Sequence, residues 1–103
     1  MTDARFVVTA ASGDRPPLVV VSGDIDLANV DEFQASMSAA AAGVDALRVD
    51  LTGVSYCDSA AVRALFTLAA ARELTMVVRP TGHIMTLLSI SGLDRVATVV
   101  TRE

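Results

Sequence analysis

Asp58 and Ser59 stand side by side in the run Tyr56-Cys57-Asp58-Ser59-Ala60-Ala61-Val62, where a strand-like segment gives way to a helix-forming one. At such a junction a carboxylate can accept hydrogen bonds from the first free amides of the helix. A hydroxyl one residue further in stands in the first turn, near the positive end of the helix dipole, where it can share a binding rim. A second acidic run, Gly23-Asp24-Ile25-Asp26, follows an earlier strand-like segment. Binding sites of open α/β sheets gather at the carboxyl ends of parallel strands, so both runs should share one rim. The same residues also have a purely structural reading. Asp58 is then an N-cap, Ser59 a first-turn residue, and Asp24 and Asp26 are solvated turn formers.

Little else in the chain could do covalent chemistry. His83 is the single histidine and Cys57 the single cysteine. No Ser-His-Asp set or multi-histidine metal site can be assembled from them. His83 lies near the start of the third helical segment and reads as a surface residue. Cys57, beside Tyr56, reads as a small buried hydrophobe. No CxxC, phosphate loop or GxGxxG occurs. The residues therefore argue for a binding module and against an enzyme, with no catalytic set, no metal ligands and no cofactor of its own.

The 103 residues are enough for one domain, and 52% of them are hydrophobic, so a core needs neither metal nor disulfide. Trp is absent and aromatics make up 4%, which leaves Val, Leu, Ala and Met to build that core. A net charge of −4 with scattered basic residues excludes a phosphate-tracking nucleic-acid surface and a polybasic membrane patch. The unpaired cysteine fits a reducing compartment. No basic start followed by an apolar stretch opens the chain, and apolar runs are far too short to span a bilayer. A cytoplasmic location is expected.

The elements that must position Asp58 and Ser59 follow from pattern. Residues 5–9 and 18–22 read as strands of an antiparallel hairpin, separated by the turn material Ser12-Gly13-Asp14-Arg15-Pro16-Pro17. Asn29 and Glu32 have the spacing of a capping box, opening a helix that carries Val30, Phe33 and Met37 and stops at Gly43. Leu47, Val49 and Leu51 alternate with Arg48 and Asp50 as a strand, and residues 52–57 read as a connecting loop. Asp58 caps a second helix running to about Glu73. A strand over 75–79 follows. A third helix opens at Thr81 or Gly82 and closes at Gly92, and residues 96–100 form the last strand. Strands joined through helices call for a mostly parallel sheet with right-handed crossovers.

With those elements in place, the chain resembles the STAS family, and most of all its short stand-alone members, the bacterial anti-sigma-factor antagonists. Four matches occur in the family's order across nearly the whole chain. Gly23-Asp24-Ile25-Asp26 fits its G-(E/D)-hydrophobic-D loop, and Val49-Asp50-Leu51 its hydrophobic-aspartate-leucine strand end. Cys57-Asp58-Ser59-Ala60-Ala61-Val62 resembles its hydrophobic-D-S-(S/T/A)-G-hydrophobic junction, and Ser91-Gly92-Leu93 its Ser-Gly-Leu element. The resemblance implies one α/β domain over residues 1–103, with a mixed, mostly parallel sheet of about five strands and helices mainly on one face.

The resemblance further implies that Ser59 is the phosphoacceptor, and that Asp24, Asp26, Asp58, Ala60 and Ala61 contribute to partner binding. The partner would be an anti-sigma factor with serine kinase activity, which the unmodified domain sequesters so that the sigma factor is released. Phosphorylation of Ser59 would end the complex, and a phosphatase would restore it. ATP and Mg²⁺ would belong to the partner. The chain departs from the pattern where Ala60 replaces a second hydroxyl and Ala61 the usual glycine. The rival readings are a STAS scaffold that is not phosphorylated, held in a signalling assembly or beside a transporter, and a ligand-binding module.

Overall fold

The hydrophobic alternation of the first two strands is satisfied when they fold back on each other. In the computed structural model, which describes residues 4–103, β1 (Ala4–Thr9) pairs antiparallel with β2 (Leu18–Ile25), with Phe6 opposite Val21 and Val8 opposite Val19. The chain continues through α1 (Val30–Ala41), β3 (Ala46–Cys57), α2 (Ser59–Ala71), β4 (Glu73–Val78) and α3 (His83–Ser91). A 3₁₀ turn at Leu93–Arg95 leads to β5 (Thr98–Thr101). The sheet order is β1-β2-β3-β4-β5, and every pair after the first is parallel. Right-handed crossovers between neighbouring strands that all advance in one direction put all three helices on the same face.

That face holds the core. Val19, Val21, Leu47, Val49, Leu74, Met76 and Val78 point into it and are fully or almost fully buried. Phe33 and Met37 of α1, Leu65 and Leu68 of α2, and Ile84 and Leu88 of α3 close over them. Each such side chain contributes about 1.5–3 kcal/mol on leaving water. Phe33 also stacks on Phe6 at 5.7 Å between ring centroids, which ties α1 to the edge strand. The opposite face is bare of helices, and register places Val7, Val20, Asp50, Val77 and Val100 in one row across it.

Four expected boundaries differ from the structure, the first being the strand expected over 75–79, which runs over Glu73–Val78 as β4. Residues 52–57 are not a loop: β3 runs on to Cys57, and β2 runs with it through Gly23, Asp24 and Ile25. Irregularities in the β2–β3 register at Val20/Ser22 and Gly23/Asp24 break the alternation that marks a strand in sequence. The second helix ends at Ala71, not near Glu73: the Arg72 amide closes the last helical bond to Leu68 O, but Arg72 itself is extended and the Glu73 amide donates to Asp45 O as β4 begins. The last strand starts two residues late because the 3₁₀ turn occupies the approach to it.

Helix ends show one further difference. Asn29 is the N-cap residue of α1, but its side chain makes no capping bond and no capping box forms. At the other helices the expectation holds. Asp58 caps α2, and α3 closes at Gly92, where Ser91 Oγ accepts from the Leu93 amide and Leu93 is fully buried.

Asp50 is the one buried charged residue among those described. Its carboxylate accepts from the Thr52 amide at 2.9 Å and the Thr52 hydroxyl at 2.7 Å, and pairs with Arg102 Nη2. The Arg102 amide donates to Val78 O, so the chain after β5 is tied to the middle of the sheet twice over. Burial pushes the Asp50 carboxyl up, but Thr52 and the Arg102 guanidinium outweigh it and hold it below the ordinary carboxylate value. A lowered folded-state pKa means stability that is present above the unfolded pKa of about 4 and lost as pH falls through the folded value. Asp50→Asn should therefore cost about 1–2 kcal/mol at neutral pH. In urea titrations the gap between wild type and variant should shrink towards about pH 3. A gap of equal size at both pH values would assign the loss to packing instead of charge.

Candidate partner-binding site

The site is built where β2 and β3 end together. Asp24 lies opposite Tyr56 and Ile25 opposite Cys57, and the Asp58 amide donates to Ile25 O at 3.2 Å. Gly23 adopts φ 91°, a left-handed conformation that side chains resist, just where the register shifts. That kink turns the end of β2 so that the acidic run stays against β3. The two motifs singled out in sequence are thus brought to one rim, as expected.

Asp58 is extended at φ −103° and its Oδ1 accepts from Ala60 N at 3.0 Å and Ala61 N at 3.3 Å. Ser59 is the first residue of α2 and is exposed. No acidic residue shares its first helical turn. Asp58 thus already occupies two of the opening amides of α2, at Ala60 and Ala61.

The other expected partner-binding residues have distinct surroundings. Ala60 is partly exposed beside Ser59, but Ala61 is fully buried. The Ala61 methyl packs in the core beneath α2, so that position meets no partner through its side chain. Asp24 is partly buried at the end of β2, and its carbonyl accepts from Asn29 Nδ2 at 2.9 Å. Asp26 Oδ1 accepts from the Ala28 amide at 2.9 Å, and the Asp26 amide donates to Asn29 Oδ1 at 3.0 Å. Asp26 and Asn29 therefore hold the β2–α1 loop in shape, a structural duty besides any contact.

Two features of the rim were not singled out from sequence. His83 is exposed, as read, but its ring stacks on Tyr56 at 5.2 Å and 10°, and Nε2–H donates to Cys57 O at 3.2 Å. The start of α3 is thereby pinned to the end of β3, immediately before Asp58. Tyr56 remains 46% exposed and Leu27 in the adjoining loop 78%, giving the acidic rim two apolar groups a partner can cover. A tyrosine and a leucine flanking the acidic motifs were the available signal. Cys57 is buried as expected, and burial followed by the neighbouring Asp58 charge pushes its thiol up to about 11, which keeps it protonated and inert. Among the described residues no cluster of acidic, histidine and cysteine side chains could hold a metal, and no helix is long and apolar enough to cross a membrane.

The cap bonds assign Asp58 a measurable weight. Asp58→Ala should cost about 1 kcal/mol in denaturant unfolding, whereas Asp58→Asn keeps the acceptor oxygen and should cost less than about 0.5 kcal/mol. Equal losses would mean that the charge, not the cap, holds the junction.

A family model for the Mlab-type STAS domain matches residues 8–101. No curated protein matches the chain. An anti-sigma factor antagonist from Mycobacterium paratuberculosis superposes with a TM-score of 0.84 at 21% identity, covering 95% of this chain and 86% of that one. The Bacillus cell fate determinant SpoIIAA in its phosphorylated form gives 0.65 at 18% identity, with 96% and 92% covered. The anti-sigma factor antagonist SpoIIAA in its unphosphorylated form gives 0.71 at 18% identity, with 96% and 89% covered. At these identities the structures speak for a shared fold, and the family match extends over almost the entire sequence: this chain belongs to the STAS domain family.

Proposed function

We propose that this domain is an anti-sigma-factor antagonist that works in the cytoplasm, binding an anti-sigma factor through the rim around Ser59 and released when that serine is phosphorylated. The observation that carries the reading is the exposure of Ser59 on a junction where several polar neighbours are held by local bonds. Asp58 is committed to the helix amides, Asp26 and Asn29 to the loop, and His83 to Cys57 O. The hydroxyl is thus presented on a preformed surface.

Phosphorylation brings roughly −1.5 to −2 charge to this spot. On the free domain that charge stays hydrated and faces no acidic residue in its own turn, so stability should move by only about 1 kcal/mol. At a packed interface the same group must be desolvated beside Asp58, a penalty that can reach several kcal/mol, and each 1.4 kcal/mol is tenfold in affinity. The domain is substrate and ligand. Phosphoryl transfer belongs to a kinase partner that supplies ATP and Mg²⁺, and a phosphatase resets the switch. Likeness to solved anti-sigma factor antagonists, one of them in a phosphorylated form, supports this assignment.

The test joins intact mass with partner titration and thermal melts. Incubation with the cognate kinase and ATP should add one phosphate, absent from Ser59→Ala. Ser59→Ala should bind constitutively and Ser59→Asp poorly, with all three proteins melting nearly alike. Equal binding by wild type and Ser59→Asp, with no phosphate accepted, would leave a non-switching STAS scaffold as the function.

A further inference from the structure

A second concavity opens on the other edge of β3, away from β2. The last β3–β4 pair is Asp50 with Val77, yet β3 continues to Cys57. β4 ends at Val78 and the chain turns off through Arg79-Pro80-Thr81-Gly82 into α3. The parting strands leave a cleft of about 210 Å³. Its floor is apolar, made by the buried Leu51, Val54 and Ile84. Its rim carries Arg79, His83, Thr81 and Ser55, all exposed.

The chemistry of that lining is one-sided. No acidic residue among those described lines the cleft. Arg79 has no carboxylate partner among the described residues, since the single ion pair found there joins Arg102 to Asp50. A guanidinium is permanently charged and presents a fork of donors suited to oxyanions. The backbone adds to it: Gly82 stands at φ 110° with nothing within 4 Å of the place a Cβ would take. Glycine is therefore required there by conformation alone, to swing the uncapped first turn of α3 against the cleft.

We propose that this cleft is a binding site for a small phosphate-type oxyanion, held by Arg79 with hydroxyl donors from Thr81 and Ser55. Its volume lies below the roughly 300–1,000 Å³ of sites for drug-sized ligands. It suits inorganic phosphate or a phosphate carried on a short organic group, not a whole nucleotide. The site is distinct from the Ser59 rim and does not depend on phosphorylation there. His83 belongs to both: it lines the cleft while stacking on Tyr56 and holding Cys57 O. An anion in the cleft is thereby registered next to the switch.

Tyr56 is the only tyrosine and there is no tryptophan, so intrinsic fluorescence reports on its stack with His83 alone. Inorganic phosphate is titrated into the full chain at neutral pH and constant ionic strength, with glycerol phosphate, acetate and chloride as parallel arms. Tyr56 emission and the backbone amide shifts of residues 79–84 are read. Phosphate should give a saturable response in both, glycerol phosphate a similar one if the natural source is an organic ester, and acetate and chloride none. Arg79→Gln, an exposed position whose melt checks the fold, should weaken the response at least about tenfold. Arg95→Gln, outside the cleft, should leave it unchanged. A response that follows ionic strength whatever the anion, or that survives Arg79→Gln, overturns the proposal.

Discussion

β3 is bonded to β4 only as far as Asp50 but stays bonded to β2 as far as Cys57. This unequal pairing is the constraint on which the working edge depends. On the β2 side it brings Asp24 beside Tyr56 and lets Ile25 O receive the Asp58 amide, which fixes where the strand stops and α2 starts. On the β4 side it leaves β3 uncovered and opens the cleft that Arg79 and His83 border. Parallel strands make such a division natural, because each ends in a turn to its own helix and neighbouring ends are free to splay. Ser59 owes its position to the first consequence, and the cleft owes its existence to the second.

Below that edge the molecule is an ordinary layered core, and the proposed switch at Ser59 depends on this separation. The large buried side chains, among them Phe33, Leu47, Met76 and Leu88, lie between the sheet and the helices. Ser59 touches none of the energetics that hold this core together, and its neighbours Asp58, Asp26 and Asn29 are tied down by local bonds. A modification there can change what the surface accepts without changing the fold. The Asp50–Arg102 pair makes a comparable tie on the bare face, where it secures the end of the chain to the central strand.

How much of this was legible in the sequence follows from what each signal encodes. Helix α1 and the cap at Asp58 were readable because apolar residues at helical spacing and a capping carboxylate act locally. The antiparallel hairpin and the parallel order followed from the alternation of segments, and the motif-bearing runs did converge on one rim. Residues 52–57 were opaque because the irregular register between β2 and β3 destroys the period-two pattern while preserving the pairing. Asn29 looked like a capping residue, but its amide found better partners in Asp24 O and Asp26 N, a choice that depends on the β2 end being near. The His83–Tyr56 stack joins positions far apart in sequence and neither residue announces it. Ala61 could be placed beside Ser59, but only the helix phase revealed that it faces inward.

The central claim is that a negative charge on Ser59 acts at the surface and leaves the fold intact. Amide shifts and hydrogen-exchange protection, measured on the unmodified and the Ser59-phosphorylated domain, test it most directly. The account predicts changes confined to residues 58–62, the β2–α1 loop and the Tyr56–His83 pair. Protection in β3 and β4, at Leu47, Val49 and Met76, should stay as it was, because these residues are buried under helices that the phosphate does not touch. Loss of protection at those core positions on phosphorylation would contradict the account and make the switch a change of fold stability.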